Sequence, residues 1–173
     1  MVFKLLGCIM VLLSSGFLGY VLSSDCKKRP RQLRELQSML QMFENQISYL
    51  SDVLAEAFGR ISGTGSGETG IFFSDTVERL RSGRSLSAAQ AWEEAVRGNI
   101  KKTSLNREDE EILVSFGKLL GGSDLEGQVK NIRLTLYQLR SQEQKAEESR
   151  KKNESMYRSL GILGGLAVVI VLI

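Results

Sequence analysis

Histidine is absent from the 173 residues. Its absence removes histidine triads, imidazole general bases and the commonest metal ligand. Cysteine occurs only at Cys8 and Cys26, with no CxxC pair and no spacing that suggests a disulfide framework. The single proline, Pro30, leaves the chain beyond it without a helix breaker of that kind. Strand signals, short runs of β-branched and aromatic residues in alternation, are essentially missing. Acidic residues are plentiful but fall in runs such as Glu108–Glu111, which read as solvated helix faces that also favour a helix N-terminus. No nucleophile–base pair, metal cluster or cofactor fingerprint is left. The expectation is therefore a non-enzyme with no catalytic residues, no cofactor and no small-molecule substrate.

What is present is organised around two uncharged runs at the extremities, Leu5–Leu22 and Ser159–Ile173. The first approaches the roughly 20 residues that cross a hydrocarbon core. A cleavable secretory signal is its rival, with Lys4 as the basic start and Ser23 and Ser24 as small residues at the end. The dense positive segment that follows argues against translocation. The string Leu5–Cys8 resembles a lipoprotein cleavage box but has no apolar region before it. The second run would rise only about 22 Å as a helix, or about 27 Å with Met156, Tyr157 and a snorkelling Arg158. Gly161 and Gly165 within it have small-xxx-small spacing; this reads equally as a packing face or as ordinary membrane-helix composition.

Each run carries a basic cluster on the side facing the middle of the chain. Lys27, Lys28, Arg29, Arg31 and Arg34 follow the first; Arg150, Lys151, Lys152 and Arg158 precede the second. Positive segments remain on the cytoplasmic side, so both clusters predict a cytoplasmic middle held between two anchors. The net charge of +3 is concentrated there, which suits topology and anionic headgroups. No basic face interleaved with aromatics appears, so nucleic acid is not an expected partner.

The expected divisions are an anchor over 1–24, a helical bundle over 30–140, a charged helical stalk over 141–155 and an anchor over 156–173. Leu33, Leu36, Leu40, Phe43, Ile47, Leu50, Leu54 and Ala57 repeat in steps of three and four, extended by Ile61, and predict one long helix. The seam suits a dimeric coiled coil or a bundle interior; Met39, Met42 and Phe58 widen it toward the bundle. Ser62–Gly70 reads as a flexible linker. It echoes a phosphate-binding loop, but Ile71 and Phe72 occupy the positions that need Lys and Ser or Thr.

Three short helices are expected next. The first carries Phe73, Val77 and Leu80 and ends near Gly83. The second opens at a Ser87/Gln90 capping box, turns Trp92 and Val96 inward and stops at Gly98. The third is capped by Asn106, faces Ile112, Phe116, Leu119 and Leu120 inward, and closes at Gly121 or Gly122. A second capping box, Ser123 with Glu126, opens another long helix through Leu125, Val129, Ile132, Leu136 and Leu139. Beyond Leu139 it becomes polar all round and runs on as a stalk. Arg79, Arg81 and Arg84, with Glu108, Asp109, Glu110 and Glu111, are exposed, oppositely charged candidates for partner docking; ordinary solvated faces account for them equally well.

Four phrases in order carry a resemblance: RPRQLRELQSMLQMFENQISY, VERLRSGRSLSAAQAW, EDEEILVSFGKLLGGSDLEGQVKNI and KKNESMYRSLGILGGLAVVIVLI. Over essentially the whole chain they resemble the stage III sporulation protein AB family of endospore-forming bacteria. LRSGRSLSAAQAW and FGKLLGGSDLEGQ also resemble the F-domain of type II secretion and type IV pilus platform proteins. The resemblance implies an all-α cytoplasmic bundle, two long helices with three or four short ones, between transmembrane helices. It further implies a membrane platform without catalysis in the mother-cell membrane around the forespore. Its partners would be a secretion-type ATPase (stage III sporulation protein AA) and other stage III sporulation membrane proteins. F-domain proteins usually carry two such bundles and this chain has one, which invites homo-oligomerisation or hetero-assembly. A membrane-tethered coiled-coil adaptor unrelated to secretion is the competing expectation.

Overall fold

The structure is a computed structural model that describes residues 27–50, 54–64, 67–82, 87–122 and 124–172. Among the described residues it is all helical, with no strand: α1 (Lys28–Leu50), α2 (Leu54–Thr64), α3 (Gly70–Arg81), α4 (Ala88–Asn99), a 3-10 turn (Ile100–Lys102), α5 (Arg107–Gly117) and α6 (Leu125–Leu172). The chain divides into two compact units, Arg31–Gln144 and Met1–Pro30 with Lys145–Ile173.

In the Arg31–Gln144 unit the seam of α1 is spent internally. Leu33, Leu36, Leu40, Phe43 and Ile47 are all buried within the single chain, so they serve a bundle interior and not a coiled-coil partner. The residues expected to continue one long helix belong to two elements, α1 ending at Leu50 and α2 beginning at Leu54, with 51–53 outside the described residues. The predicted linker is shorter than expected, because α2 continues through Ser62 to Thr64 and α3 begins at Gly70.

The centre of the core is aromatic, with one ring from each of five helices. Phe43 of α1 lies 4.8 Å from Phe58 of α2 and 6.3 Å from Phe116 of α5. Phe73 of α3 lies 5.2 Å from Phe58. Trp92 of α4 touches Phe58, Phe73 and Phe116 at 5.5, 5.1 and 5.3 Å. All six of these pairs are edge-to-face or tilted, as the ring quadrupoles favour. The indole nitrogen donates to the Leu113 carbonyl at 2.7 Å, so this buried donor is satisfied. Trp92 is a core residue, as its spacing predicts. The first part of α6 closes the unit with Ile132, Leu136 and Leu139.

Caps mark the helix starts. Ser87 and Gln90 form the expected capping box. At α5, Asn106 Oδ1 accepts from the Asp109 N–H at 2.9 Å while Asp109 Oδ2 accepts from the Asn106 N–H at 2.9 Å. Replacing Asn106 by alanine is expected to cost about 1 kcal/mol, read as a lower urea midpoint for the full chain in detergent by circular dichroism. At α6 the cap is Asp124, whose Oδ1 accepts from the Gly127 N–H at 2.9 Å; the expected Ser123 lies outside the described residues.

Leu119 and Leu125, expected inside, are 49% and 50% exposed. The reason is the earlier end of α5: it stops at Gly117, and Gly121, with φ of 73°, helps turn the chain before α6 begins. The two leucines sit on that turn and at the first residue of α6, beyond the packed layers.

The stalk expected over 141–155 is helical but not solvated all round. Gln142 is buried and donates to Glu108 Oε2 at 2.9 Å, and Ala146 is buried. In the second unit Arg150 joins Glu147 at 2.7 Å and Glu154 at 3.0 Å. Among the described residues no helix is long and apolar enough to cross a membrane. Leu5–Leu22 lies outside the described residues; the run from Ser159 is helical through Leu172 but short on the rise per residue given above.

Candidate functional site

The charged residues singled out in the sequence fall into two separate places. Arg79 and Arg81 are on α3, and Arg84 lies outside the described residues. Arg79 is already engaged within its own chain. Its Nε donates to Asp75 Oδ1 at 3.0 Å, one turn earlier, and its Nη1 donates to Glu94 Oε2 of α4 at 2.5 Å. The hydrogen bond that Arg79 donates to Asp75 raises the guanidinium pKa above its ordinary value; the charges of Asp75 and Glu94 help, and partial burial opposes them. Arg79 therefore stays charged at every physiological pH.

Asn99, buried at the end of α4, completes this network. Its Nδ2 donates to Asp75 Oδ2 at 2.6 Å and to the Ala95 carbonyl at 2.9 Å, and its Oδ1 accepts from Lys102 Nζ at 2.8 Å. These groups line a shallow polar depression between α3 and α4. Arg79 is paired with Asp75 and Glu94, and Lys102 is held by the Asn99 amide, so the network ties α3 to α4. Arg81 is exposed, in a second shallow depression beside Glu56 and Arg60.

The acidic run is divided by the first turn of α5. Asp109, expected to be exposed, is fully buried, because its carboxylate is turned back to cap the helix. Glu108 is exposed and accepts from Gln142. Glu110 lies 3.7 Å from Arg97, and Glu111 lies 3.1 Å from Arg107. Exposed pairs of this kind add little stability.

The basic residues beside the uncharged runs stand as follows. Lys27 approaches Glu154 at 3.9 Å. Lys28, Arg31, Lys151 and Lys152 are exposed, and Arg29 and Arg150 half-buried. Arg158, Gly161 and Gly165 are helical, within α6, and their side-chain surroundings lie outside the description. Among the described residues no group of three or more Cys, Asp or Glu side chains is placed to hold a metal ion.

One surface was missed in the sequence. Leu134 and Tyr137 on α6 are 56% and 73% exposed. Their signal was available, since both fall off the Leu125–Val129–Ile132–Leu136–Leu139 seam and at i,i+3 from each other.

Comparison with known proteins agrees with this architecture. The family model described as stage III sporulation protein AB matches residues 4–173. The chain is 34% identical over 169 residues to stage III sporulation protein AB of Bacillus subtilis, covering 98% of each chain. A solved structure of stage III sporulation protein AB superposes with a TM-score of 0.67 at 34% identity, covering 72% of this chain and 98% of that one. The described relatives carry the name of a sporulation protein and of no reaction. The chain belongs to the stage III sporulation protein AB family.

Proposed function

We propose that this sporulation protein is a non-enzymatic platform subunit of a secretion-like channel complex linking mother cell and forespore. In this reading it sits in the mother-cell membrane around the forespore, held by its two uncharged runs, with the helical unit in the cytoplasm. The unit is similar to a secretion F-domain and couples to a secretion-type ATPase, stage III sporulation protein AA, alongside other stage III sporulation membrane proteins. One observation carries the reading. The helical unit Arg31–Gln144 falls, in sequence, between two uncharged runs whose basic clusters both face it. Positive flanks of that placement hold the intervening segment on the cytoplasmic side, where an ATPase is available. The Asp75–Arg79–Glu94 and Asn99 network joins α3 to α4, which suits a stiff body that receives force better than a pocket that turns over a substrate.

The test is co-purification from detergent of the full chain with stage III sporulation protein AA. Retention of the ATPase through gel filtration is the expected outcome. Clean separation, with both proteins folded by circular dichroism, would count against the platform reading.

A further inference from the structure

The outward face of α6 between Gly127 and Gln142 combines three features that belong together at interfaces. Tyr137 is 73% exposed and Leu134, one turn before it, 56% exposed, although large apolar groups are normally the first to be covered. The Tyr137 hydroxyl has no hydrogen-bond partner among the described residues. Around them the charge is of one sign: from Gly127 to Gln142 the sequence holds Lys130, Arg133 and Arg140 and no acid. Helical spacing places Lys130, Arg133, Tyr137 and Arg140 on one stripe, one turn apart, with Leu134 at its edge. Asp124 and Glu126, before Lys130 at the start of α6, are exposed acids at its end. Arg133 is held in place by Glu44 of α1 at 2.6 Å, whereas Lys130 and Arg140 are exposed and form no ion pair among the described residues.

We propose that this stripe docks an acidic amphipathic helix of another protein. An exposed tyrosine beside a leucine supplies an anchor with low conformational cost and a polar tip. The neighbouring cations supply a rim that steers and orients an acidic partner. An i,i+3 apolar pair is the ridge that a partner helix with leucines at i, i+3, i+4 and i+7 accepts. Two alternatives fit less well. A second copy laid stripe against stripe would set its cations against identical cations. A lipid surface is engaged by a broad apolar face, and here the apolar content is two side chains interrupted by Gln138 and Ser141. The proposal is independent of the ATPase reading and would survive its failure.

The experiment uses the full chain in detergent and a fluorescent synthetic helix with leucine at i, i+3, i+4 and i+7 and glutamate on its flanks. Its counterpart carries lysine in place of glutamate. The acidic helix should bind, the basic one should not, and added salt should weaken binding. Tyr137→Ala, and Lys130→Glu combined with Arg140→Glu, should each weaken it about tenfold or more. All three positions are exposed, so unchanged thermal melts would show the fold intact. The proposal is overturned if the acidic helix does not bind, if both peptides bind alike, or if binding ignores the substitutions. It is also overturned if Tyr137→Ala abolishes self-association of the full chain while leaving peptide binding intact, which would assign the face to a second copy. Protection of a probe on Tyr137→Cys by anionic but not neutral nanodiscs, again with peptide binding unaffected, would assign it to lipid.

Discussion

Trp92→Ala is expected to destabilise the Arg31–Gln144 unit by about 3–5 kcal/mol, a large share of the about 5–15 kcal/mol that holds a typical domain together. The ring touches Phe58, Phe73 and Phe116 and is fully buried. Its loss opens a cavity where four helices meet, and rigid aromatic walls collapse poorly into such a space. Trp92→Phe is the milder companion. It keeps an aromatic ring but removes the donor to the Leu113 carbonyl, for an added cost of about 1 kcal/mol. Urea unfolding of the full chain in detergent by circular dichroism reads both. A loss below about 1 kcal/mol for Trp92→Ala would refute the central position assigned to the cluster.

Gly117→Ala should act in the direction opposite to helix propensity. In an ordinary helix this change gains about 1 kcal/mol. Here a Cβ would lie 2.3 Å from Trp92 Cδ1 and 3.1 Å from Cγ, against a ring that neighbours fix on several sides. Overpacking of this kind costs about 1–3 kcal/mol, so the net effect is a loss. Gly63 is the control, because a Cβ there would meet nothing within 4 Å; Gly63→Ala should be neutral or slightly stabilising. The clash has a named partner, so Gly117→Ala with Trp92→Phe should be more stable than the two separate losses predict. Strict additivity would show that the strain lies elsewhere.

These two positions also show where sequence reading succeeds and stops. Trp92 is recognisable as core because it falls on a helical face with Val96 behind a Ser87 cap. The α1 seam is equally legible, since its residues Leu33, Leu36, Leu40, Phe43 and Ile47, all buried, repeat at the helical period. Gly117 carries no such mark: its need to lack a side chain comes from a ring 25 positions away in sequence (117 minus 92). Among the candidate docking residues, Asp109 looked like one more member of an acidic run, and only its pairing with Asn106 explains its burial. Arg79 looked like a free cation, yet its partner Glu94 sits on a different helix. Local period reports which face is apolar; it does not report which charges have already found each other. Leu119 and Leu125 were misplaced for a related reason, because apolar type was visible but the position of the turn at Gly121 was not.

The inward side of α6 carries amides among its hydrocarbons. Asn131 donates to the Phe116 carbonyl at 3.0 Å, Gln128 to the Leu119 carbonyl at 2.8 Å, and Gln142 to Glu108 at 2.9 Å. Sliding that segment by a single residue would shift it about 1.5 Å and rotate it about 100°, leaving those donors without acceptors at about 1–3 kcal/mol apiece. An all-leucine surface would tolerate such slippage far better. The segment is thus locked in register with its neighbours, and a thrust applied along it would be delivered to the surrounding helices together instead of being dissipated as piston travel.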